Sequence, residues 1–331
     1  MSDLLAISGL VKHFDDRRGL LGRITGNPGA LVQAVNGVDL GIGEGKTLGL
    51  IGESGCGKST LGRAILRLHE PTAGQVLFDG TDVTALDASD LKAMRRRMQI
   101  IFQDPYASLN PRRTVGEIVA KPMRIHALAT GSDLEDRVVD MLNRVGLNSG
   151  HLNRYPHQFS GGQRQRIGIA RALIMKPKFV VCDEPVSALD VSIQAQIVEL
   201  LDEMKQELGL TYLFISHDIS VIGYVSDRIA VMYLGKIVEE GETREVLENP
   251  MHPYTRALLS SVPHLEKTAG KRDRTRLKGD LPSPINPPPG CKFNTRCPLA
   301  TELCRQSEPE LRHMQGTQSA ACHLSLANAE G

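Results

Sequence analysis

The chain has 331 residues, enough for one large domain with an appendage or two modest ones, and 41% of them are apolar, ample for a buried core. Its 39 lysines and arginines nearly cancel its 38 aspartates and glutamates, leaving a formal charge of +1 and no broad attraction to nucleic acid or an anionic lipid surface. No run approaches the roughly 18 apolar residues of a membrane span, and Met1-Ser2-Asp3 does not lead from a basic into an apolar stretch, so a soluble cytoplasmic chain without a secretory signal is expected.

Taken in chain order, Leu4 to Phe14 is short and apolar-rich and reads as a strand. Asp15 to Ala30, rich in Gly and Arg, reads as an exposed loop or hairpin insert. Val35 to Ile42 and Thr47 to Ile51 are further strands, the second running into a glycine-rich turn and the helical stretch Ser59 to Leu68. Between Asp90 and Asn153 the helical signal dominates, broken at Asp104-Pro105 and Asn110-Pro111, which predicts a helical subdomain inserted into a sheet domain. Within it, Arg95-Arg96-Arg97 reads as a solvated helix face. Phe179 to Cys182 and Tyr212 to Ile215 are unbroken apolar runs, the pattern of parallel strands buried on both faces. Alternating strands and helices give an α/β fold class with a helix-covered parallel sheet. Near residue 250 the composition turns to prolines, including Pro287-Pro288-Pro289-Gly290, and then to cysteines, which sets a boundary between residues 1–250 and 251–331. No internal repeat is visible.

Gly52-Glu53-Ser54-Gly55-Cys56-Gly57-Lys58-Ser59 fits the phosphate-binding loop pattern and lies between a strand and a helix. Its glycines permit backbone angles closed to other residues, so successive N–H groups can face phosphate oxygens. The helix start adds a partial positive charge. Gly52, Ser54, Gly55, Cys56, Gly57, Lys58, Ser59 and Thr60 are therefore the expected nucleotide-binding residues. Lys58 would reach the β- and γ-phosphates and the Ser59 hydroxyl would ligate Mg²⁺. Downstream, Phe179-Val180-Val181-Cys182-Asp183-Glu184 is an apolar strand ending in two carboxylates. Asp183 is placed to hold Mg²⁺ through water and Glu184 to polarise an attacking water; the plain alternative is a pair of acids at a helix start.

Phe159-Ser160-Gly161-Gly162-Gln163-Arg164-Gln165-Arg166 resembles the signature motif of ABC ATPases, and the resemblance covers residues 4 to 250. It implies a P-loop NTPase fold with a parallel-sheet core, an antiparallel β subdomain and a helical subdomain at about 90–160. It also implies that Ser160, Gly161, Gly162 and Gln163 close over the γ-phosphate bound by an opposite subunit, so that two subunits sandwich two ATP molecules. Gln103 becomes the glutamine that contacts Mg²⁺ and the attacking water, and His217 the switch histidine at the γ-phosphate. Ser187-Ala188-Leu189-Asp190 becomes the loop at the dimer seam, with Asp190 among its nucleotide-site residues. Phe14 is the expected adenine-stacking aromatic, with a core role, or stacking by His13, as alternatives.

Asp104-Pro105-Tyr106-Ala107-Ser108-Leu109-Asn110-Pro111-Arg112 and His252-Pro253-Tyr254-Thr255-Arg256-Ala257-Leu258-Leu259-Ser260 are similar to segments of the oligopeptide/dipeptide (peptide–nickel) importer family, of the dipeptide permease type. That implies ATP-driven uptake of di- or oligopeptides through two separate transmembrane permease subunits, with a periplasmic or extracellular substrate-binding protein. The ATPase would pair with a paralogous ATPase subunit, or with its own copy, peripherally on the cytoplasmic face of the plasma membrane, and bind no nucleic acid. Nickel complexes and glutathione stay open as cargo. A soluble ABC ATPase of nucleic-acid metabolism is the rival from another class; it expects a long coiled coil, and no sustained heptad run is present.

Cys56 and Cys182 stand alone, whereas Cys291, Cys297, Cys304 and Cys322 crowd together, with five, six and seventeen residues between them. In a reducing compartment such a group reads as a metal site before a disulfide framework. Four thiolates suit Zn²⁺ or an iron–sulfur cluster. The family resemblance implies a [4Fe–4S] cluster in a C-terminal extension over 251–331; zinc, and free thiols in a packed tail, are the alternatives.

Overall fold

The computed structural model describes residues 3–15, 30–260 and 279–324. Most of the expected insert, residues 16–29, lies outside the described residues. Strands β1 (Asp3–Asp15), β2 (Leu31–Gly43) and β3 (Thr47–Ile51) precede helix α1 (Lys58–Ile65), strand β4 (Ala73–Phe78) and the short β5 (Thr81–Asp82). Then come α2 (Ala88–Met94), β6 (Met98–Ile101), α3 (Pro105–Ser108), α4 (Val115–Ile125), α5 (Gly131–Arg144) and α6 (Gly161–Leu173). Strand β7 (Phe179–Asp183), helix α7 (Val191–Leu208) and strand β8 (Thr211–Ile215) follow. The last elements are α8 (Ile219–Val225), β9 (Arg228–Tyr233), β10 (Lys236–Glu242), α9 (Thr243–Glu248), α10 (Pro253–Leu259), α11 (Glu302–Gln306), β11 (Arg312–Gln315) and β12 (Gln318–Ala320).

The chain forms two compact units. The first holds Ile42–Thr47 and Ala85–Ser216. In it β7 runs parallel to both β6 and β8, with Cys182 opposite Ile101 and Phe214. Every residue of β7 and β8 is buried, as their unbroken apolar runs require. Helices α4 and α5 pack on each other and on α6. Helix α4 is started by a capping box in which Glu117 N donates to Thr114 Oγ1 and Thr114 N to Glu117 Oε2. Helix α5 buries Leu134, Val138, Met141 and Leu142, one face at three- and four-residue spacing. Helix α7 stops where Gly209 takes the left-handed conformation.

The second unit holds Asp3–Gly41, Leu48–Thr84 and the chain from His217 onward. One sheet has the order β2-β1-β4-β5, with β1 and β4 antiparallel from Leu5↔Phe78 to Val11↔Ala73. Its register slips after Ser8, where Gly74 has φ 88° and a Cβ on it would fall 2.3 Å from the Gly9 carbonyl oxygen. A second set of strands runs β11-β12-β10-β9-β3, with β3 parallel to β9 and the other neighbours antiparallel. The C-terminal tail thus adds a hairpin to strand β10, pairing Ala320 with Glu239. Among the described residues, no helix is long and apolar enough to cross a membrane.

Candidate functional site

The five residues of β3 are buried, and the chain leaves them through the expected phosphate-binding loop into α1. Two glycines are required by sterics. A Cβ on Gly57, at φ 111°, would lie 2.1 Å from Ala34 O, and one on Gly52 2.3 Å from Met232 O. Helix α1 has no side-chain cap and no acidic residue in its first turn, so its leading N–H groups face no carboxylate of their own. Lys58 is buried, with Nζ donating to Gly52 O (2.7 Å) and Glu53 O (3.0 Å), its charge held against the loop backbone. Ser54 and Gly55 are exposed and Ser59 and Thr60 half-buried. The Cys56 side chain is buried and burial pushes its thiol up, so the side chain packs while its backbone belongs to the loop. A cradle of backbone donors closed by a lysine fits a polyphosphate.

Phe14, also in the second unit, is half-buried rather than core. Its ring meets His69 edge-on at 5.3 Å, and Lys12 Nζ stands 4.8 Å from its centroid. His217 is exposed just after β8, ahead of α8, whose start Asp218 caps by accepting from Ser220 N and Val221 N.

In the first unit β7 delivers Asp183, fully buried, and then Glu184. Glu184 has φ 48°, a left-handed backbone that costs a non-glycine residue on the order of 1–3 kcal/mol. Its N–H donates to Ile215 O at 3.0 Å, and Ser187 Oγ donates to its carbonyl at 3.2 Å. Gln103 Nε2 donates to Glu184 Oε2 at 2.9 Å, so two of the three expected catalytic residues meet directly. Ser160 and Gln163 form a capping box at the start of α6. Gly162 is needed there, since a Cβ would come 2.5 Å from Ile193 Cγ2. Asp190 is exposed at the start of α7. Of the residues expected at Mg²⁺, Gln103 and Asp183 lie in the first unit and Ser59 in the second.

The sequence family described as ABC transporter matches residues 35–187, and the one described as oligopeptide/dipeptide transporter, C-terminal region, matches residues 238–304. The chain is 51% identical over 323 residues to the oligopeptide transport ATP-binding protein AppF of Bacillus subtilis (strain 168), covering 97% of each. It belongs to the ATP-binding proteins of the oligopeptide/dipeptide ABC transporter family. Oligopeptide transport ATP-binding protein OppF of Salmonella typhimurium is 52% identical over 310 residues, 93% of this chain and 92% of that one. Among solved structures, the ATP-binding cassette MJ0796 in a dimeric post-hydrolysis state bound to ADP and Pi matches with a TM-score of 0.63 at 30% identity, over 72% of this chain and 99% of that chain. The family and P-loop ATPase fold read from the motifs are borne out, and the chain is an ABC ATPase.

The cysteine tail of this ABC ATPase departs from expectation. Among the described residues, no three or more His, Cys, Asp or Glu side chains are grouped to hold a metal ion, which overturns the expected iron–sulfur cluster and its zinc alternative. Burial pushes the Cys291 thiol up to about 11 and raises Cys297 too, and the neighbouring sulfurs add to both. Cys304 is buried with its Sγ 3.3 Å from Thr301 Oγ1, and Cys291 N donates to Cys304 O. All four are free thiols, and the segment is held by its turns and by Phe293, buried among Tyr233, Tyr254 and His252.

Two arginines of helix α6 make contacts that the motif does not announce. Arg164 is buried, donates from Nε to Pro156 O at 2.7 Å, and lies 3.8 Å from the Tyr106 ring centroid. Arg171 donates to Ser108 O. Both therefore grip the 104–112 segment. Spacing along α6 alone gave no sign of this, because the partners lie over fifty residues away in sequence.

Proposed function

We propose that this ATPase powers the import of di- or oligopeptides through separate membrane subunits, from the cytoplasmic face of the membrane. The observation that carries the catalytic part is the Gln103–Glu184 hydrogen bond at the end of a buried strand, which orients a carboxylate that the backbone already constrains. Gly52, Ser54, Gly55, Cys56, Gly57, Lys58, Ser59 and Thr60 bind the phosphates of ATP, and Phe14 stacks on its adenine. Glu184 accepts a proton from the water whose oxygen attacks the γ-phosphorus; the bond to the β-phosphate oxygen breaks, releasing ADP and phosphate. Ser59, Gln103 and Asp183 would hold Mg²⁺, which supplies positive charge against the phosphoryl oxygens. His217 contacts the γ-phosphate. Ser160, Gly161, Gly162 and Gln163 act on nucleotide bound to a second ATPase subunit, with Asp190 at the seam. That subunit is a paralogue, or else a second copy, and the dimeric state named for MJ0796 supports such pairing. The names of AppF and OppF support peptide cargo. A substrate-binding protein outside the membrane delivers the cargo, and residues 251–331 form the extension that marks this family.

Substituting Glu184→Gln tests the catalytic part. The expected result is unchanged MgATP affinity by calorimetry, hydrolysis reduced by about a hundredfold or more, and an ATP-dependent dimer by light scattering. Undiminished hydrolysis removes Glu184 from its role. In proteoliposomes holding the whole transporter, peptides should stimulate hydrolysis; stimulation by nickel complexes or glutathione instead would reassign the cargo.

A further inference from the structure

Glu53 is the second residue of the phosphate-binding loop. A carboxylate inside a loop built to gather phosphate oxygens is an electrostatic liability, because like charges a few ångströms apart repel strongly away from bulk water. The fold answers it from the far end of the chain. Arg296 grips Glu53 with both arms, Nη1 to Oε2 at 2.5 Å and Nη2 to Oε1 at 2.9 Å. Such two-pronged pairing is the strongest form of carboxylate–guanidinium contact. The arginine side chain is 5% exposed while that of Glu53 is 26% exposed, so the cation is sunk behind the anion. Nη1 also reaches Tyr233 Oη at 3.5 Å, and the Glu53 carboxylate holds the guanidinium charge well above its ordinary pKa.

The loop backbone is tied down as well. Glu53 N donates to Tyr254 Oη at 2.8 Å. Tyr233, Tyr254 and Phe293 are almost fully buried and mutually packed, with ring centroids 4.7, 5.3 and 5.4 Å apart. Arg296 N donates to Phe293 O, so the turn that carries the guanidinium is anchored on that aromatic cluster. One loop residue is thus fixed at its amide and at its carboxylate by side chains that follow residue 250. These are rigid, buried supports, the kind that hold a binding loop to a single geometry.

We propose that Arg296 is a positioning residue for the nucleotide site: it cancels and fixes the Glu53 carboxylate so that the loop accepts a nucleoside triphosphate, which makes the C-terminal tail an integral part of ATP binding. This rests on the reading of the loop as the ATP site. Without the guanidinium, the Glu53 carboxylate is left as an uncompensated charge within the loop, and the loss falls on affinity rather than on the chemical step.

The test compares Arg296→Met, Glu53→Gln and the double variant in the full chain, with MgATP affinity by calorimetry and KM and kcat in the reconstituted transporter. Arg296→Met should raise Kd and KM about tenfold, equivalent to about 1.4 kcal/mol, with kcat within about twofold of the parent. The double variant should return to within about threefold of Glu53→Gln, since removing the carboxylate removes the need for its partner. Equal weakening in Arg296→Met and in the double variant would show that the arginine only packs the tail, and would overturn the proposal. Where Arg296→Met does not fold, Glu53→Gln alone decides: affinity equal to or tighter than the parent is expected, and a tenfold loss overturns it. Wild-type affinity in Lys58→Ala would instead overturn the ATP reading of the loop.

Discussion

His252 shows how one residue can serve packing at a cost that depends on pH. It is fully buried at the start of α10, where its Nδ1 accepts from Tyr254 N at 3.1 Å. Burial lowers its pKa from 6.5 to about 3, with a smaller push from Arg256 and an opposing backbone bond to Ala321. The folded ring is therefore neutral where an unfolded one takes up a proton. The stability that this neutral ring contributes is present above about 6.5 and is lost as pH falls from there toward 3, by roughly 1.4 kcal/mol per pH unit. Glu239, whose carboxyl accepts from Met251 N and His252 N and is raised by burial, works in the opposite sense over a range above the ordinary carboxylate value. His252→Asn keeps a capping acceptor but removes the titration. Its urea midpoint should fall less than the parent's between pH 7 and 5.5; parallel profiles would show that His252 does not set the dependence.

At the scale of elements, α6 ties together two segments far apart in sequence. Its first turn carries the signature residues Ser160 to Gln163, while Arg164 and Arg171 further along hold Tyr106 and Ser108. A shift of this helix would move the 104–112 segment with it. Arg171→Met leaves the Ser108 carbonyl without this donor, which should lower stability by about 1–3 kcal/mol in urea titration. ATP binding by the purified chain should persist while peptide-stimulated hydrolysis in the transporter falls; full stimulation would separate the two elements. Elements with a local code were legible beforehand. Strands β7 and β8 announce themselves by unbroken apolar runs, and the phosphate loop by glycines that no other residue could replace. The β11–β12 hairpin was not legible, because Arg312–Gln315 and Gln318–Ala320 are short and polar and become strands only by adding to the edge of β10. Cysteine spacing misled for a related reason: it records neighbours along the chain, whereas a metal site needs side chains grouped in space, and no such group is found among the described residues.

For the molecule as a whole, the family's C-terminal region does more than follow the ATPase. Strand β12 covers the edge of β10, Gln318 Nε2 donates to Asn249 O at 3.0 Å, and Phe293 fills the space beside Tyr233. A chain ended after Pro250 would bare that strand edge and the buried aromatic face together, both routes to aggregation. It should recover largely as aggregate in size-exclusion chromatography; a monodisperse product with parental MgATP affinity would show the tail to be dispensable. The Glu53–Arg296 pair also spans 243 positions of sequence. Anyone building chimaeras by exchanging tails between relatives at this junction inherits its two halves from different parents, so compatibility must be matched at those two positions before any wider similarity is considered.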